Sequence, residues 1–192
     1  MKLDKYRKKR NFRVTPEPEG ATKPPKGKRK QLVFVVQEHL ASHLHYDFRL
    51  EWGGILLSWA IPKGPSLDPA TKRLAVPTED HPLDYANFEG IIPPGEYGAG
   101  TVMVWDRGVW IPDAPDVDAN LKKGELKFTL EGKKLKGSWV MIRARGGSFR
   151  DSDKPYWMLI KHRDAFASEG DITKTEPLSA ISGRTLEQIA KG

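Results

Sequence analysis

Residues 45–50 alternate strictly between polar and apolar side chains, a pattern typical of a β-strand that buries one face. Successive side chains of a strand point to opposite faces, so His45, Asp47 and Arg49 share one face and their apolar neighbours share the other. An imidazole and a carboxylate suit a divalent metal ion, and a guanidinium beside them suits phosphate oxygens. The alternative is a solvated strand that carries a surface ion pair. The pattern therefore predicts either metal-assisted chemistry on a phosphate ester or an ordinary exposed face.

Further polar residues of the same parity favour a site over an exposed face. Gln37 and His39 precede the strand at odd positions, and a turn over residues 40–44 would pair the two runs as a hairpin with one polar face. A second polar cluster follows at residues 79–85. Four of the five histidines fall between residues 39 and 81, which is a high concentration for a chain with so few of them.

The net charge of +7 is concentrated in the first thirty residues. Residues 1–30 hold twelve Lys/Arg against three Asp/Glu, whereas residues 31–192 hold twenty against twenty-two. Basic arms commonly bind polyanions through salt-sensitive contacts, although such an arm can also be a solvated tail. We therefore divide the chain into a basic, largely extended N-terminal arm over 1–30 and one globular domain over 31–192.

Composition narrows the class of protein further. The chain contains no cysteine, which excludes disulfides, thiolate nucleophiles and zinc–cysteine sites. No run approaches the roughly 18 apolar residues of a membrane span, and the N-terminus lacks the apolar core of a signal peptide. We expect a cytoplasmic protein with no membrane partner, and a monomer by default.

Short strand-like segments dominate the globular domain and predict a mainly β fold. Many short strands separated by turn residues are typical of a single-domain barrel with antiparallel or mixed pairing. Helices are expected to be minor, around 164–168 and 185–190. The predicted strands are 32–38, 45–51, 54–61, 73–78, 100–106, 125–131, 134–144 and 156–162.

Turn signals mark where these strands end. Glycine-containing pairs at 53–54, 106–108 and 131–132 predict hairpin connections. The acidic run 113–118 is interpreted as a solvated loop. Residues 14–30, rich in proline, glycine and lysine, are expected to be extended.

Several long motifs resemble the 3′-phosphoesterase domain family of bacterial DNA ligase D. The clearest is His-Tyr-Asp-Phe-Arg-Leu-Glu at 45–51, and the resemblance extends over essentially the whole chain. Residues 182–187 resemble the join to a following ligase domain, yet the chain stops shortly afterwards. We therefore expect a free-standing version of the domain. The other matching motifs are 34–39, 58–65, 72–76, 79–83, 88–90, 95–100, 104–106 and 156–161.

The resemblance implies a manganese-dependent enzyme that heals 3′ ends of nucleic acid during strand-break repair by non-homologous end joining. Family members remove a terminal ribonucleoside and then the remaining 3′-phosphate, which leaves a 3′-hydroxyl. The implied substrate is a primer–template duplex, and other divalent transition metals are possible. The implied partners are a separate ATP-dependent DNA ligase and a polymerase, in the cytoplasm at the nucleoid.

The same resemblance assigns roles to particular residues. The metal ligands carried over by motif are His39, His45 and Asp47. Arg49 and His81 match the groups that hold the phosphate, and a protonated His81 could also donate to the leaving oxygen. The remaining matches are one residue beside the phosphate and four supporting ones, namely Tyr85, then Gln37, Lys63, Arg73 and Glu79.

Two residues of the arm also match the family. Arg10 and Glu17 match a pattern in which an aspartate follows the arginine, whereas this chain has Asn11 at that position. The substitution bears on how much the arm contributes to catalysis and leaves the metal ligands untouched.

Two other functions remain open from the sequence. His45 and Asp47 form the His-x-Asp half of the iron site of oxygenases, which also needs a distal histidine. His81 and His162 are the candidates for it, and neither lies in the usual context. The second alternative is a catalytically inert module that recruits repair partners through its basic arm.

Overall fold

The computed structural model describes residues 3–20, 31–148 and 155–192. These residues form ten strands, a 3-10 helix over Leu83–Asn87 and four short α-helices. None of the helices in the described ranges is long and apolar enough to cross a membrane. The strands are β1 Leu32–Leu40, β2 Leu44–Trp52, β3 Ile55–Ile61, β4 Arg73–Pro77, β5 His81–Pro82, β6 Gly90–Ile92, β7 Gly100–Pro112, β8 Glu125–Gly132, β9 Lys136–Ser148 and β10 Pro155–Lys161. The α-helices are α1 Asp4–Lys8, α2 Val117–Lys123, α3 Ile172–Thr175 and α4 Leu186–Ala190.

Eight of the strands close into an antiparallel barrel in the order β1-β2-β3-β4-β10-β9-β8-β7, with β7 pairing back onto β1. Every pairing is antiparallel, which decides between the two pairings left open by the sequence. Closure leaves these eight strands without a free edge. The short strands β5 and β6 lie outside the ring, on β3 and β7 respectively. The predicted mainly β barrel is confirmed.

All eight predicted strands are present, because each buries an alternating or continuous apolar face. The turn at Gly53 and Gly54 is also confirmed, with Trp52 paired to Ile55. Both glycines have positive φ, 59° and 83°, as a tight two-residue hairpin requires. The short strands β5 and β6 carry too few residues to show a periodic pattern.

The predicted turn at 106–108 is wrong, because β7 continues through these residues. Gly108 instead allows β7 and β8 to approach each other closely. A Cβ at this position would lie 2.1 Å from the carbonyl oxygen of Glu131. A change of register places Val36 opposite Asp106 and Gln37 opposite Val104. The extra residue makes a β-bulge that bends the long strand.

One predicted helix is wrong, and one predicted loop is right except for its last two residues. Residues 164–168 contain a bend and a short turn but no helix, and the nearest helix is α3, which begins after Asp171. Residues 113–116 of the acidic run form an irregular segment as predicted, and residues 117 and 118 begin α2. The Asp116 side chain accepts a hydrogen bond from the Ala119 N–H at 2.9 Å. An N-terminal cap of this kind stabilises a helix that composition alone does not indicate. The expected C-terminal helix is confirmed as α4, with a capping box at Thr185.

The barrel strands bury their inner face, and β1, β2, β3 and β7 also bury much of their outer face against different neighbours. The inner face holds the larger apolar cluster, which includes Phe48, Trp105 and Trp139. The outer face of β1, β3 and β7 packs against a second cluster that contains Val35 and Tyr85. Because odd-numbered residues of β1 and β2 point outward, the polar residues singled out in the sequence lie under this outer layer.

The described part of the N-terminal arm is docked on the barrel. Tyr6, in α1, is fully buried, and its hydroxyl donates to the carbonyl of Pro18 at 2.6 Å. Thr15 and Glu17 are buried as well. Residues 3–20 therefore belong to the outer layer and are not a solvated tail. The rest of the run expected to be extended, 21–30, lies outside the described residues.

Candidate active site

Three candidate metal ligands meet at the turn end of the β1–β2 hairpin, beside the connection between Leu40 and Leu44. His39 lies directly opposite His45 in the strand register, and Asp47 is the next outward-facing residue of β2. One ligand atom from each residue lies within 4.8 Å of the other two. The Asp47 carboxylate is 3.6 Å from Nδ1 of His39 and 3.7 Å from Nε2 of His45. These three side chains can therefore approach one ion together.

Backbone carbonyls orient both imidazoles toward this point. Nε2 of His39 lies 2.9 Å from the carbonyl of Gly98, and Nδ1 of His45 lies 3.0 Å from the carbonyl of His43. If each of these nitrogens donates its proton, the other nitrogen of each ring keeps a free lone pair near Asp47. Such orienting hydrogen bonds are common around metal-bound histidines. The donor set of two imidazoles and one carboxylate thus fits a divalent transition metal.

Arg49 lies next to this cluster and is nearly buried, with 2% of its surface exposed. Its Nη2 donates to Asp47 at 3.0 Å, and its Nε donates to the Gln37 side-chain oxygen at 2.8 Å. Burial alone would raise the pKa of Asp47, but the Arg49 guanidinium and the two imidazoles hold that pKa below its usual value. The carboxylate is therefore charged and ready to accept a cation at neutral pH.

Gln37 fixes the position of that guanidinium. The side chain is fully buried, and its amide nitrogen donates to the carbonyls of Tyr85 and Phe88 at 3.0 Å each. The amide oxygen is left to accept from Arg49 alone. Because both ends of the amide are used, Gln37 ties the strand to the 3-10 helix that covers it.

His81 lies on the other side of the arginine. Its Nδ1 is 3.0 Å from Nη1 of Arg49 and 2.9 Å from the carbonyl of Glu79, and its Nε2 is 3.4 Å from Nη2 of Arg10. Burial and the two nearby guanidiniums lower the pKa of His81 well below its usual value. The ring is therefore neutral near pH 7, so the donation to the leaving oxygen that the sequence analysis describes for a protonated His81 would need a proton gained in the site.

The arm closes the site from outside. Arg10 donates to Glu17 at 2.9 Å and to Glu79 at 2.5 Å, and its guanidinium lies 3.8 Å from the centre of the Tyr6 ring. Glu17 in turn accepts from the Tyr85 hydroxyl at 3.0 Å. Burial raises the pKa of Tyr85 well above its usual value, so the hydroxyl stays protonated as a donor. Both arm residues expected from the sequence thus reach the same network.

The cavity enclosed by these groups has a volume of about 300 Å³. Among the described residues, four of the expected site residues do not line this cavity, namely Glu17, Gln37, Lys63 and Arg73. Glu17 and Gln37 support its wall from behind. Lys63 is exposed after β3, and Arg73 is the first residue of β4. The roles of Lys63 and Arg73 stay predictions. The residues that line the cavity are Arg10, His39, Ala41, His45, Asp47, Arg49, Ala60, Thr78, Glu79, His81, Tyr85, Ile92, Tyr97 and Gly98.

Sequence reasoning missed several residues of this site. Tyr97 lines the cavity from the segment 95–100, which the sequence analysis gives as a matching motif without assigning a role to Tyr97. Lys9, which precedes a predicted arm residue, lies 2.9 Å from Glu79. Tyr6 packs edge-on against His81, with ring centres 5.0 Å apart. The sequence offered one signal for Lys9 and Tyr6, because both lie within four residues before Arg10 in the arm.

The charged side chains around the cavity cancel one another. Three are cationic and three are anionic, and with His81 neutral the group has no net charge. These residues are Lys9, Arg10 and Arg49 against Glu17, Asp47 and Glu79. A bound divalent cation would therefore leave a surplus of two positive charges in the cavity.

Fold and site together define a class: a closed β-barrel protein whose outer face carries a possible two-histidine, one-carboxylate metal centre beside a buried arginine. The chain belongs to the DNA ligase D 3′-phosphoesterase domain family, because residues 37–143, more than half of its length, match that family's model. This membership implies phosphoesterase activity and confirms the family resemblance that the motifs indicate.

Individual relatives agree with this placement. The multifunctional non-homologous end joining protein LigD of Pseudomonas aeruginosa is 53% identical over 189 residues, which cover 96% of this chain and 22% of the relative. The multifunctional non-homologous end joining DNA repair protein LigD of Mycobacterium tuberculosis is 45% identical over 145 residues, or 76% of this chain and 19% of the relative. The chain thus spans about a fifth of the length of these curated relatives.

Proposed function

We propose that this protein is a metal-dependent phosphoesterase that acts on 3′ ends of nucleic acid, with manganese as its cofactor. The reaction would remove a 3′-terminal ribonucleoside or a 3′-phosphate from a DNA or RNA primer end and leave a 3′-hydroxyl for a ligase or polymerase. The relatives are named for non-homologous end joining, which supports a role in strand-break repair. The observation that carries the proposal is the convergence of His39, His45 and Asp47 beside Arg49.

The charge balance of the cavity supports a phosphate substrate. A phosphate monoester carries close to two negative charges at neutral pH, and the cavity without metal is neutral. A divalent cation held by the two imidazoles and Asp47 would supply the compensating charge, and when bound it would polarise the phosphate for attack. The proposal therefore requires the metal for substrate binding as well as for the chemical step.

Arg49 is the residue best placed to grip the phosphate. Its Nη atoms face Asp47 and His81 at 3.0 Å each, so the planar fork is already oriented at the cavity wall. Guanidinium groups bind two phosphate oxygens at once, which an ammonium does not. Arg10, on the opposite side of His81, offers a second guanidinium from the arm.

His81 and Tyr85 would hold these cations in place. The neutral imidazole lies between the two guanidiniums, and the Tyr85 ring lies 5.0 Å from the Arg49 guanidinium. Both side chains are buried, which excludes water from the back of the cavity. A phosphate bound there would meet pre-positioned donors, the arrangement that stabilises charge in phosphoryl transfer.

The test is release of phosphate from a 3′-phosphate-ended primer–template. With Mn²⁺ the wild-type protein should produce 3′-hydroxyl ends, and EDTA should stop the reaction. Asp47→Asn keeps the shape of the side chain, and it should abolish both Mn²⁺ binding and activity. Asp113→Asn, an exposed carboxylate after β7, is the matched control and should behave as wild type. Manganese-independent turnover, or full activity in Asp47→Asn, would refute the proposal.

The same assay addresses the two alternatives. An inert recruiting module would bind the duplex without releasing phosphate under any metal condition. The oxygenase alternative needs His81 or His162 beside His45 and Asp47, yet His81 lies against Arg49 and His162 contacts Ser138 at 2.8 Å. Family membership and the two guanidiniums favour the phosphoesterase.

A further inference from the structure

Tyr97 is an unusual aromatic residue in this protein because it is exposed at the mouth of the cavity. Half of its surface is accessible, and it lines the cavity together with the metal-ligand candidates. Of the aromatic side chains in the part of the chain that the structure describes, only Phe166 is also exposed, and it does not line the cavity. The remaining aromatic side chains there are at least partly buried.

The loop that carries Tyr97 is tied to the metal centre. Gly95 and Gly98 have φ values of 90° and 79°, which side-chain-bearing residues rarely adopt. The carbonyl of Gly98, the next residue after Tyr97, lies 2.9 Å from Nε2 of His39. The ring is therefore positioned by the same backbone that orients a candidate metal ligand.

A lysine side chain contacts the Tyr97 ring. Nζ of Lys9 lies 4.1 Å from the centre of the Tyr97 ring and donates to its hydroxyl at 3.1 Å. The Lys9 side chain is 41% exposed, and its ammonium also pairs with Glu79. The Arg10 guanidinium lies 5.5 Å from the ring centre. An accessible aromatic ring next to a cationic side chain is the combination that binds a nucleotide, with the base on the ring and the phosphate on the cation.

We propose that Tyr97 and Lys9 form a subsite for the nucleotide immediately 5′ of the phosphate under attack, with its base or sugar on Tyr97 and its own phosphate near Lys9. The inference rests on the proposed function and adds the direction in which the primer strand leaves the cavity. A terminal ribonucleoside carries no further phosphate beyond the scissile one, so a cation on that side would have no partner. The strand that continues toward the 5′ end has a phosphate at every step.

The two residues should have separate kinetic signatures. Tyr97→Ala should raise KM for a 3′-phosphate-ended primer–template about five- to 150-fold at every salt concentration, the usual range when one base loses its stacking partner, with kcat changed less than about threefold. Lys9→Ala should raise KM less and flatten the plot of log KM against log salt by about 0.7–0.9. Tyr97→Phe keeps the ring and should retain a KM within about twofold of wild type.

The experiment is steady-state phosphate release with Mn²⁺ across a salt series, with Mn²⁺ affinity measured for each variant. Phe166→Ala, the other exposed aromatic, and Lys123→Ala, an exposed lysine at the end of α2, are matched controls that should behave as wild type. A wild-type protein without activity would defeat the proposed function itself. An active wild type with unchanged KM in Tyr97→Ala would overturn only the subsite.

Two further outcomes would also overturn the subsite. Weakened Mn²⁺ binding in Tyr97→Ala would mean that the residue acts by holding the loop against His39. Equal losses in Tyr97→Phe and Tyr97→Ala would mean that the hydroxyl, and not the ring face, carries the effect. In either case Tyr97 would serve the metal centre or Lys9 instead of the nucleotide.

Discussion

The two faces of β2 are stabilised by different interactions: apolar packing on the inner face and directed polar contacts on the outer face. On the inner face Tyr46 lies 5.6 Å from Trp105 and Phe48 lies 6.0 Å from Phe128, ring centre to ring centre, in a continuous apolar cluster. On the outer face Asp47 is held by a directed hydrogen bond from Arg49. Apolar packing is specified mainly by volume, whereas a buried polar group needs a particular partner. One strand therefore supports the barrel on one side and the chemistry on the other.

The contrast has an energetic consequence. Truncating a residue of the inner face removes buried area and leaves a cavity, which lowers stability in proportion to size. Changing a residue of the outer face disturbs a network in which Arg49, Gln37 and Asp47 satisfy one another. We expect the first kind of change to affect the free energy of unfolding and the second to affect turnover.

The largest effect is expected on the inner face. Phe48→Ala should lower the free energy of unfolding by about 3–5 kcal/mol, because a fully buried ring is removed from the cluster. Chemical denaturation measures this change. At low temperature the protein that remains folded should keep its activity per folded molecule within about threefold. A loss greater than tenfold would show that the two faces are not independent.

The next effect tests the outer face. Arg49→Lys keeps the charge but loses the planar fork, so phosphate release should fall about 10²–10³-fold. Mn²⁺ affinity should stay within about threefold of wild type, since Asp47 and the imidazoles are unchanged. Arg163→Lys, an exposed arginine after β10, is the control. Near-full activity in Arg49→Lys would remove the residue from its phosphate-binding role.

A third prediction concerns the arm, which covers the outer face. Removing residues 1–30 should lower activity at least about tenfold at saturating substrate, because Arg10 and Glu17 leave the network around His81. Affinity for Mn²⁺ should change less than about threefold. The slope of log affinity for the duplex against log salt should flatten by about 0.7–0.9 for each phosphate that the arm neutralises in the full-length protein. An unchanged slope would show that the arm neutralises none.

The smallest effect is expected at Asn11, where the pattern that the resemblance implies has an aspartate. Asn11 is exposed, and its side-chain oxygen accepts from the Arg13 N–H at 3.2 Å, a contact that an aspartate can also make. Asn11→Asp should therefore change kcat and KM by less than about threefold. A tenfold gain in activity would mean that the carboxylate reaches the substrate in a way that the contacts of Asn11 do not indicate.

The barrel and the metal cluster were predictable because both follow from alternation within short segments. Parity alone placed His39, His45 and Asp47 on one face, and the hairpin register brought them together. The outer layer was less accessible to sequence reasoning, since Tyr97 and Lys9 meet across 88 positions of the chain. No local pattern encodes a contact of that kind.

The errors have local physical causes as well. Residues 106–108 have the composition of a turn, but Gly108 lies within a strand and allows the adjacent strand to pack closely. The acidic run before α2 begins a helix because Asp116 caps it. Glycine and aspartate both commonly interrupt regular structure, but here Gly108 accommodates the adjacent strand and Asp116 caps the following helix. These roles can be recognised only once the adjacent strand or helix is known.

The metal centre of the outer face is the part of the molecule on which the proposed function depends. Crystals grown with Mn²⁺ and measured at a wavelength where manganese scatters anomalously should show one strong peak in contact with Nδ1 of His39, Nε2 of His45 and the carboxylate of Asp47. The same peak should be absent from crystals of Asp47→Asn. A manganese ion bound elsewhere, or bound through Nε2 of His39 or Nδ1 of His45, would contradict the account.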